Sequence, residues 1–382
     1  MADHQKQVQK QGQASTAAPT IESATLPAAP EPAAETYQVP QEPAPSDAHF
    51  SAGSFFPIIT SQASQHPSIL DYRRENGRSY HRLSDGKYAL PNDELEQERL
   101  DIVNHLWMLT FDGRLCLCPK VDGVKRVLDI GTGTGIWAMD YADEHPGAEV
   151  IGVDLSPIQP AYVPVNCIFE VDDLEKEWMW TEPFDFIFAR NMVGSFSDWE
   201  GVIAQAFDNL EPGGYFELHD TIYPLLCDDG TLTKESPLMR WTLLIAEACE
   251  RRGRSITIGS QFPRFLEEAG FEDIKVTNIK FPVSPWPKDP KLRLMGEWTQ
   301  ASLLPGIEGL SLALFTRVLG WSVSETIVFC AQVRDQVKNT KYHGYWKGFA
   351  VHGRKPLVEN RHDRNLSSNG MFSTPDGEYL VL

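Results

Sequence analysis

Basic residues are scarce in this sequence, which has 34 Lys and Arg against 53 Asp and Glu and a formal net charge of -19. A protein that grips a phosphate backbone usually presents a basic face, because contacts with the phosphates supply much of its affinity. The longest basic run here is Arg251-Arg252-Gly253-Arg254, which we interpret as a solvated helix end. Nucleic acid is therefore not the expected partner.

Cysteine is also sparse, with six residues in the chain, and only Cys116 and Cys118 lie close together. No second pair follows at zinc-finger spacing, so we expect no metal site and reduced, mostly buried thiols. No apolar run approaches the roughly 18 residues of a membrane span, and the N-terminus lacks the pattern of a signal peptide. We therefore expect an intracellular protein, cytoplasmic or nuclear, that does not associate with membranes.

Large apolar side chains are nearly absent from residues 1–48, which consist mainly of Ala, Pro, Gln, Glu, Ser and Thr. Such a segment cannot bury enough surface to offset the entropy of ordering, so we predict a disordered tail. A second tail is expected over 357–382. Between them we predict a helical segment over 49–124, which covers the ligand site and is capped at Asn92, and an α/β domain over 125–356.

Short apolar runs alternate with helical segments after residue 125. This alternation predicts βαβ units and a mainly parallel sheet with helices on both faces. Helical insertions at about 231–258 and 288–340 exceed what sheet connections require, so we interpret them as a lid or acceptor cap. The predicted strands are Val127–Ile130, Glu149–Asp154, Asn166–Val171, Phe184–Ala189 and Tyr215–His219, followed by Phe271–Phe281 and Tyr342–His352.

A glycine-rich loop follows the first predicted strand, with the sequence Asp129-Ile130-Gly131-Thr132-Gly133-Thr134-Gly135. Its spacing is G-x-G-x-G, whereas a dinucleotide loop prefers G-x-G-x-x-G, and Ile136 stands where the last glycine would lie against a pyrophosphate. S-adenosylmethionine has no phosphate but has an ammonium group, which the Asp129 carboxylate could position. The loop predicts an S-adenosylmethionine site, and a dinucleotide-dependent oxidoreductase is the less favoured alternative. The residues assigned to this part of the site are Asp129, Gly131, Thr132, Gly133 and Gly135.

Carboxylates at the ends of the next two strands extend this site. Asp154, followed by Leu155, ends the second strand, where Rossmann-like folds place an acid on the ribose hydroxyls. Asp172 and Asp173, followed by Leu174, come after the third strand, beside the expected position of the adenine. Either carboxylate could accept a hydrogen bond from the exocyclic amine, and Asp172 is our preferred candidate.

Two further segments are expected close to the reacting centre. Arg190 and Asn191 follow the fourth strand, and ligands of open α/β sheets bind beyond the carboxyl ends of the strands. Tyr88 precedes the glycine loop in a segment that could fold over it, so its ring could pack on the ligand or anchor the N-terminal helix instead.

Five segments of the sequence form an ordered set: Tyr88–Glu94, Asp129–Trp137, Ala189–Asn191, Asp198-Trp199 and Pro212–Leu218. In this order they resemble the fungal LaeA-like methyltransferase family, and the match extends over roughly residues 54–354. The resemblance implies a class I methyltransferase fold, with a seven-stranded, mostly parallel sheet whose last strand is antiparallel, and an origin in a filamentous fungus. It also implies either methylation in secondary metabolism or regulation together with velvet-type partner proteins in the nucleus.

A general base is needed only if the acceptor must lose a proton, because the sulfonium is already a strong electrophile. The candidates are His105, His219 and Glu217. His219 departs from the acid pair that the family commonly carries after the fifth strand. We predict a methyltransferase that acts on a small-molecule secondary metabolite; the alternative is a regulator of secondary metabolism that acts through protein partners.

Overall fold

The computed structural model describes residues 72–84, 86–119 and 123–357. The tail predicted over residues 1–48 lies outside these ranges, as does all but the first residue of the tail predicted over 357–382. Among the helices within the described ranges, none combines the length and the apolar character that crossing a membrane requires.

Two short antiparallel strands, β1 (Arg73–Glu75) and β2 (Arg78–Tyr80), begin the described part of the N-terminal segment that the sequence predicts to be helical. Asn76 and Gly77 connect them with φ values of 52° and 77°. An Asn-Gly pair with two positive φ angles is typical of a two-residue hairpin turn, so this hairpin had a sequence signal that the prediction missed. The predicted helix follows as α1 (Glu94–Thr110).

Asp93 rather than Asn92 caps α1, so the cap predicted from the sequence was wrong by one residue. The Asp93 side chain accepts a hydrogen bond from the backbone N–H of Glu96 and also binds the Arg78 guanidinium through both oxygens, each at 2.6 Å. Asn92 is buried, and its amide donates to Ser156 Oγ at 3.4 Å. Asn92 therefore joins the start of the helix to the sheet domain instead of ending the helix.

A seven-stranded, mostly parallel sheet forms the centre of the described fold. Its strands are β3 (Arg126–Ile130), β4 (Glu149–Asp154), β5 (Cys167–Val171), β6 (Phe184–Arg190), β7 (Leu210–Leu226), β8 (Glu272–Pro282) and β9 (Tyr345–Arg354). Their order is β5-β4-β3-β6-β7-β9-β8, and β9 runs antiparallel to both of its neighbours. The predicted fold class is confirmed, including the antiparallel last strand.

The strand β7 is much longer than the predicted run Tyr215–His219. It pairs with β6 on one side and with β9 on the other, and its register with β9 shifts between Ile222 and Leu226. Polar residues such as Asp220 interrupt the apolar pattern and ended the predicted strand early. A strand can carry such residues inside a protein when their polar atoms find partners, which is the case for Asp220.

Helices cover both faces of the sheet and add a further layer beside it. They are α2 (Ile136–Glu144), α3 (Trp199–Asp208), α4 (Pro237–Arg251), α5 (Phe262–Ala269), α6 (Pro290–Arg317) and α7 (Val323–Lys338). Apolar residues of α3 and α5 pack on one face of the sheet and those of α2 pack on the other. Helices α1, α4, α6 and α7 share a separate apolar core, so the N-terminal helix and the predicted insertions form one layer.

Alternation along β3 decides which of its side chains can reach a ligand. Leu128 and Ile130 belong to the core on the α3 and α5 side, and Val127 to the core on the α2 side. Asp129 shares the face of Val127 and lies one residue from the carboxyl end of the strand. This position places a carboxylate at the start of the glycine loop.

We expect Asp93→Ala to lower the free energy of unfolding by about 1–2 kcal/mol, because α1 loses its N-cap and Arg78 loses its partner. Urea denaturation followed by circular dichroism measures this loss. Glu94→Ala is the matched control, since Glu94 is exposed in the same first turn, and it should change stability by less than about 0.5 kcal/mol. Equal losses in the two variants would contradict the assignment of Asp93 as the cap.

Candidate active site

A cavity of about 130 Å³ lies beyond the carboxyl ends of β3, β4, β5 and β6. Twelve of the thirteen residues predicted to bind the cofactor line it: Tyr88, Asp129, Gly131, Thr132, Gly133, Asp154, Leu155, Asp172, Asp173, Leu174, Arg190 and Asn191. Gly135 is the exception, because it lies at the start of α2 behind the loop. The structure therefore brings together residues that are up to about a hundred positions apart in the chain.

The glycines of the loop occupy backbone conformations that other residues rarely adopt. Gly131, Gly133 and Gly135 have φ values of 68°, 59° and 81°. A Cβ on Gly131 would lie 2.1 Å from Met192 Sδ, and one on Gly135 would lie 2.3 Å from Cζ of Phe169. Gly135 thus supports the loop from behind, whereas Gly131 and Gly133 present backbone to the cavity.

Asp154 forms the wall of the cavity at the end of β4. Its carboxylate accepts hydrogen bonds from the backbone N–H groups of Gly133 and Ser156, each at 2.9 Å. Burial raises the pKa of this carboxyl group, and the two backbone donors oppose that rise. The acid predicted to bind ribose therefore also holds the glycine loop against the end of β4.

Asp129 is almost fully buried, and its side chain accepts a hydrogen bond from Thr132 Oγ1 at 2.6 Å. Burial raises the pKa of Asp129 to about 7, although the Thr132 hydroxyl and the charge of Arg190 oppose the rise. Arg190 donates from Nη2 to Asn104 Oδ1 at 2.5 Å, and burial lowers its pKa to about 10. The ionised form of such a carboxyl group is stabilised when a further cation approaches it.

The two acids after β5 have different partners. Asp173 Oδ2 accepts from Ser84 Oγ at 2.7 Å and from Lys87 Nζ at 2.6 Å. Asp172 Oδ1 accepts from the backbone N–H of Asp173 at 2.7 Å. Asp173 therefore ties the N-terminal segment across the cavity. Because Asp173 is already engaged by two side chains, Asp172 stays the preferred candidate for the acid that faces the adenine.

A second cavity of about 220 Å³ adjoins the first and shares Tyr88, Leu100 and Asn191 with it. Most of its other side chains are apolar, including Val103, Trp107, Trp241, Phe281, Leu303 and Trp346. Asn191 has a φ of 58°, and its Oδ1 accepts from Trp107 Nε1 at 3.1 Å. The shared residues mark where the contents of the two cavities meet.

Asp220 lines the second cavity and was missed by the sequence analysis. Its two oxygens accept from the backbone N–H groups of Val193 and Thr221, each at 2.7 Å, and burial raises its pKa to about 7. The predicted strand ended at His219, and Asp220 was not among the candidate bases. The family's usual acid pair in this segment was the signal that could have identified it.

Of the three predicted general bases, His105 lies on the wrong side of α1. It is exposed, its ring centroid lies 4.0 Å from that of Trp298, and it lines neither cavity. Successive residues of a helix point about 100° apart. The neighbouring Asn104 lines the first cavity, so His105 is directed away from it.

Glu217 and His219 are also separated from both cavities. They are fully buried, with His219 Nε2 at 2.5 Å from Glu217 Oε1. Glu217 accepts from the backbone N–H groups of Leu117 and Cys118 at 2.7 and 2.6 Å, and His219 packs against Trp107. Alternation along β7 directs these two side chains away from the face that carries Asp220. The structure therefore places this pair in the packed interior, outside both cavities.

Comparisons with known proteins identify sequence relatives of this chain. A profile of the methyltransferase domain matches residues 93–276. Methyltransferase pytC of Aspergillus terreus is 40% identical over 290 residues, which are 76% of this chain and 90% of that protein. The secondary metabolism regulator laeA of Aspergillus fumigatus is 36% identical over 307 residues, 79% of this chain and 82% of that protein. Among solved structures, a phosphoethanolamine N-methyltransferase of Haemonchus contortus is 19% identical and covers 68% of this chain and 52% of its own, with a TM-score of 0.37.

The sheet order, the glycine loop and the matched domain define a class I methyltransferase. The cofactor of this class is S-adenosylmethionine. More narrowly, the chain belongs to the fungal LaeA-like methyltransferase family.

The first cavity fits that cofactor in charge. Its lining carries more acids than cations: Asp129, Asp154, Asp172, Asp173 and Glu175 against Lys87 and Arg190. S-adenosylmethionine brings a sulfonium and an ammonium group, which such a lining favours, whereas the pyrophosphate of a dinucleotide would face like charges. The alternative of a dinucleotide-dependent oxidoreductase is accordingly disfavoured.

We expect Asn104→Ala to weaken binding of S-adenosylhomocysteine about tenfold, because Arg190 loses the oxygen that accepts its Nη2–H. The adjacent variant His105→Ala should leave the affinity unchanged, since His105 lines neither cavity. Calorimetric titration of both variants measures the difference. A comparable loss in the His105 variant would show that we have assigned the wrong face of α1 to the site.

Proposed function

We propose that this chain transfers a methyl group from S-adenosylmethionine to a small-molecule acceptor of secondary metabolism, bound in the second cavity. The observation that carries the proposal is the junction of two chemically different cavities at Tyr88, Leu100 and Asn191. One is lined by acids and exposed backbone, and the other mainly by apolar side chains. Holding donor and acceptor in contact, away from water, is the principal task of such an enzyme.

Different residues of the first cavity would bind different groups of the cofactor. Asp129 would receive the ammonium group, Asp154 the ribose hydroxyls and Asp172 the exocyclic amine of the adenine. Tyr88 lines both cavities, so its ring would pack over the bound cofactor near the acceptor. When bound, S-adenosylmethionine supplies an electrophilic methyl group, and the protein supplies orientation and charge.

The second cavity favours an acceptor with an apolar body. Its walls include Trp107, Trp241 and Phe281, which suit a flat or aromatic molecule. Asp220 is the acid of this cavity, and its pKa of about 7 suits a group that takes a proton near neutral pH. We therefore assign Asp220, in place of His105, His219 and Glu217, as the base for an acceptor that must lose a proton.

A second candidate function is regulation of secondary metabolism through protein partners. It is favoured by the 36% identity to a relative named as a secondary metabolism regulator. Velvet-type proteins, the partners that the family resemblance implies, belong to this second proposal. Turnover of a small acceptor would favour the enzyme, whereas cofactor binding without turnover, together with partner binding, would favour the regulator.

We expect S-adenosylmethionine and S-adenosylhomocysteine to bind with micromolar affinity, and NADH not to bind, in calorimetric titrations of the full chain. Gly133→Asp should abolish binding, because φ of 59° disfavours a side chain and the added acid would lie in the cavity against Leu100, whose Cδ1 is 3.5 Å from the new Cβ. Gly147→Ala is the control, since no other part of the described structure comes within 4 Å of the added Cβ. Failure of the wild type to bind either adenosyl ligand would refute cofactor-dependent methyl transfer.

Binding of S-adenosylmethionine should also depend on pH. The pKa of Asp129 is raised to about 7 by burial, and a bound cation favours the ionised carboxylate, so binding should release a proton. The affinity should rise as the pH increases through 7 and level off above about 8, and at pH 6 it should be about tenfold below that plateau.

Calorimetry in buffers of different ionisation enthalpy measures the released proton directly. Asp129→Asn should remove the pH dependence and weaken binding. Asp220→Asn should retain the dependence, because Asp220 has a similarly raised pKa but lines only the acceptor cavity. A pH-independent affinity in the wild type would show that Asp129 does not face the cation.

A further inference from the structure

The close cysteine pair of this sequence lies against the buried carboxylate of β7. Cys116 and Cys118 are in the loop that leads from α1 to β3, and Glu217 approaches them from the sheet. One ligand atom from each of the three residues lies within 4.8 Å of the other two, and all three side chains are buried. The proposed methyl transfer uses none of these residues.

Two thiols and one carboxylate form a ligand set that suits Zn²⁺. Zn²⁺ takes Cys sulfur at about 2.3 Å and carboxylate oxygen at about 2.0–2.2 Å in a tetrahedral arrangement. Ligand atoms around such an ion lie roughly 3.5–3.8 Å apart, so small side-chain rotations would close the observed spacing around one ion. Thiolate ligands disfavour Mg²⁺ and Ca²⁺, which prefer oxygen.

An unpartnered hydroxyl beside the cluster is a second, independent observation. Tyr141 is fully buried, and its Oη has no hydrogen-bond partner among the residues that the structure describes. Tyr141 packs in the same buried apolar cluster as Cys116 and Cys118. A buried hydroxyl without a partner needs an explanation, and donation to a metal-bound thiolate or carboxylate supplies one.

The Glu217 carboxylate is already held in place for such a role. The backbone N–H groups of Leu117 and Cys118 donate to its two oxygens, and His219 Nε2 contacts Oε1. These contacts fix the side chain and keep it close to the thiols. Anchoring by additional hydrogen bonds is typical of metal-ligating carboxylates.

We propose that Cys116, Cys118 and Glu217 bind one structural zinc ion. The two thiols lose their protons to solvent as two zinc–sulfur bonds form, and Glu217 contributes an oxygen. The fourth position is open to water or to His352, which lies directly opposite Glu217 in the register of β7 and β9.

Such an ion would restrict the motion of the loop after α1, which contacts the cofactor site from behind. Trp137 Nε1 donates to the backbone oxygen of Leu115 at 3.0 Å, one residue before the cysteine pair. Trp137 is also the second residue of α2 and lines the first cavity. A metal that closes the loop would therefore hold the start of α2, and with it the glycine loop, in position.

The test uses the full chain, purified without a polyhistidine tag. Elemental analysis should find about one zinc per chain, and cobalt substitution should give the near-ultraviolet absorption of thiolate-to-cobalt charge transfer. Cys116→Ser and Cys118→Ser should each lose the metal and the absorption band. Cys249→Ser, a buried cysteine in another part of the core, should keep both.

A protection experiment covers the case in which the cysteine variants do not fold. Added zinc should slow alkylation of Cys116 and Cys118 in the wild type, as mapped by mass spectrometry, and leave the half-buried Cys227 unchanged. It should also raise the melting temperature of the chelator-treated protein. Folded wild-type protein that shows neither zinc nor the cobalt band, or zinc that persists in both folded serine variants, would overturn the proposal.

Discussion

Two hydrogen bonds between α1 and the end of β6 are the contacts on which the architecture of the site depends. Arg190 donates to Asn104, and Trp107 donates to Asn191. They join a helix that precedes the sheet domain to the strand end where an open α/β sheet binds its ligand. Because both cavities are walled by α1 on one side and by this strand end on the other, the two contacts help to set the distance between the two walls.

Buried acids give the site its chemical character. Asp129 and Asp220 have pKa values raised to about 7 by burial, one in each cavity. Desolvation of these carboxyl groups costs free energy in the empty protein, and each cost can be recovered by a different event. In the proposed function, a cation recovers it at Asp129, and a proton taken from the acceptor recovers it at Asp220. Binding and proton transfer thus share one physical origin.

The glycine loop and the strand-end acids could be predicted from the sequence, because spacing along the chain decides where parallel strands end. The hairpin at Asn76 and the extension of β7 through Asp220 were missed, since a local turn signal was overlooked and polar residues masked the strand. The lining of the second cavity could not be predicted. It is formed by α1, α4 and α6, and the way helices pack against one another leaves no fixed spacing in the sequence.

The predicted general bases show how one strand can separate two roles. Glu217 and His219 on β7 point into the packed interior beside the loop after α1, whereas Asp220 lines the acceptor cavity. Because successive side chains of a strand point to opposite faces, a shift of one residue moves a side chain from the packed interior to the wall of a cavity. Proximity to a strand end drew attention to this segment of the sequence. Only the alternation of side chains along the strand distinguishes a side chain that packs in the core from one that lines a cavity.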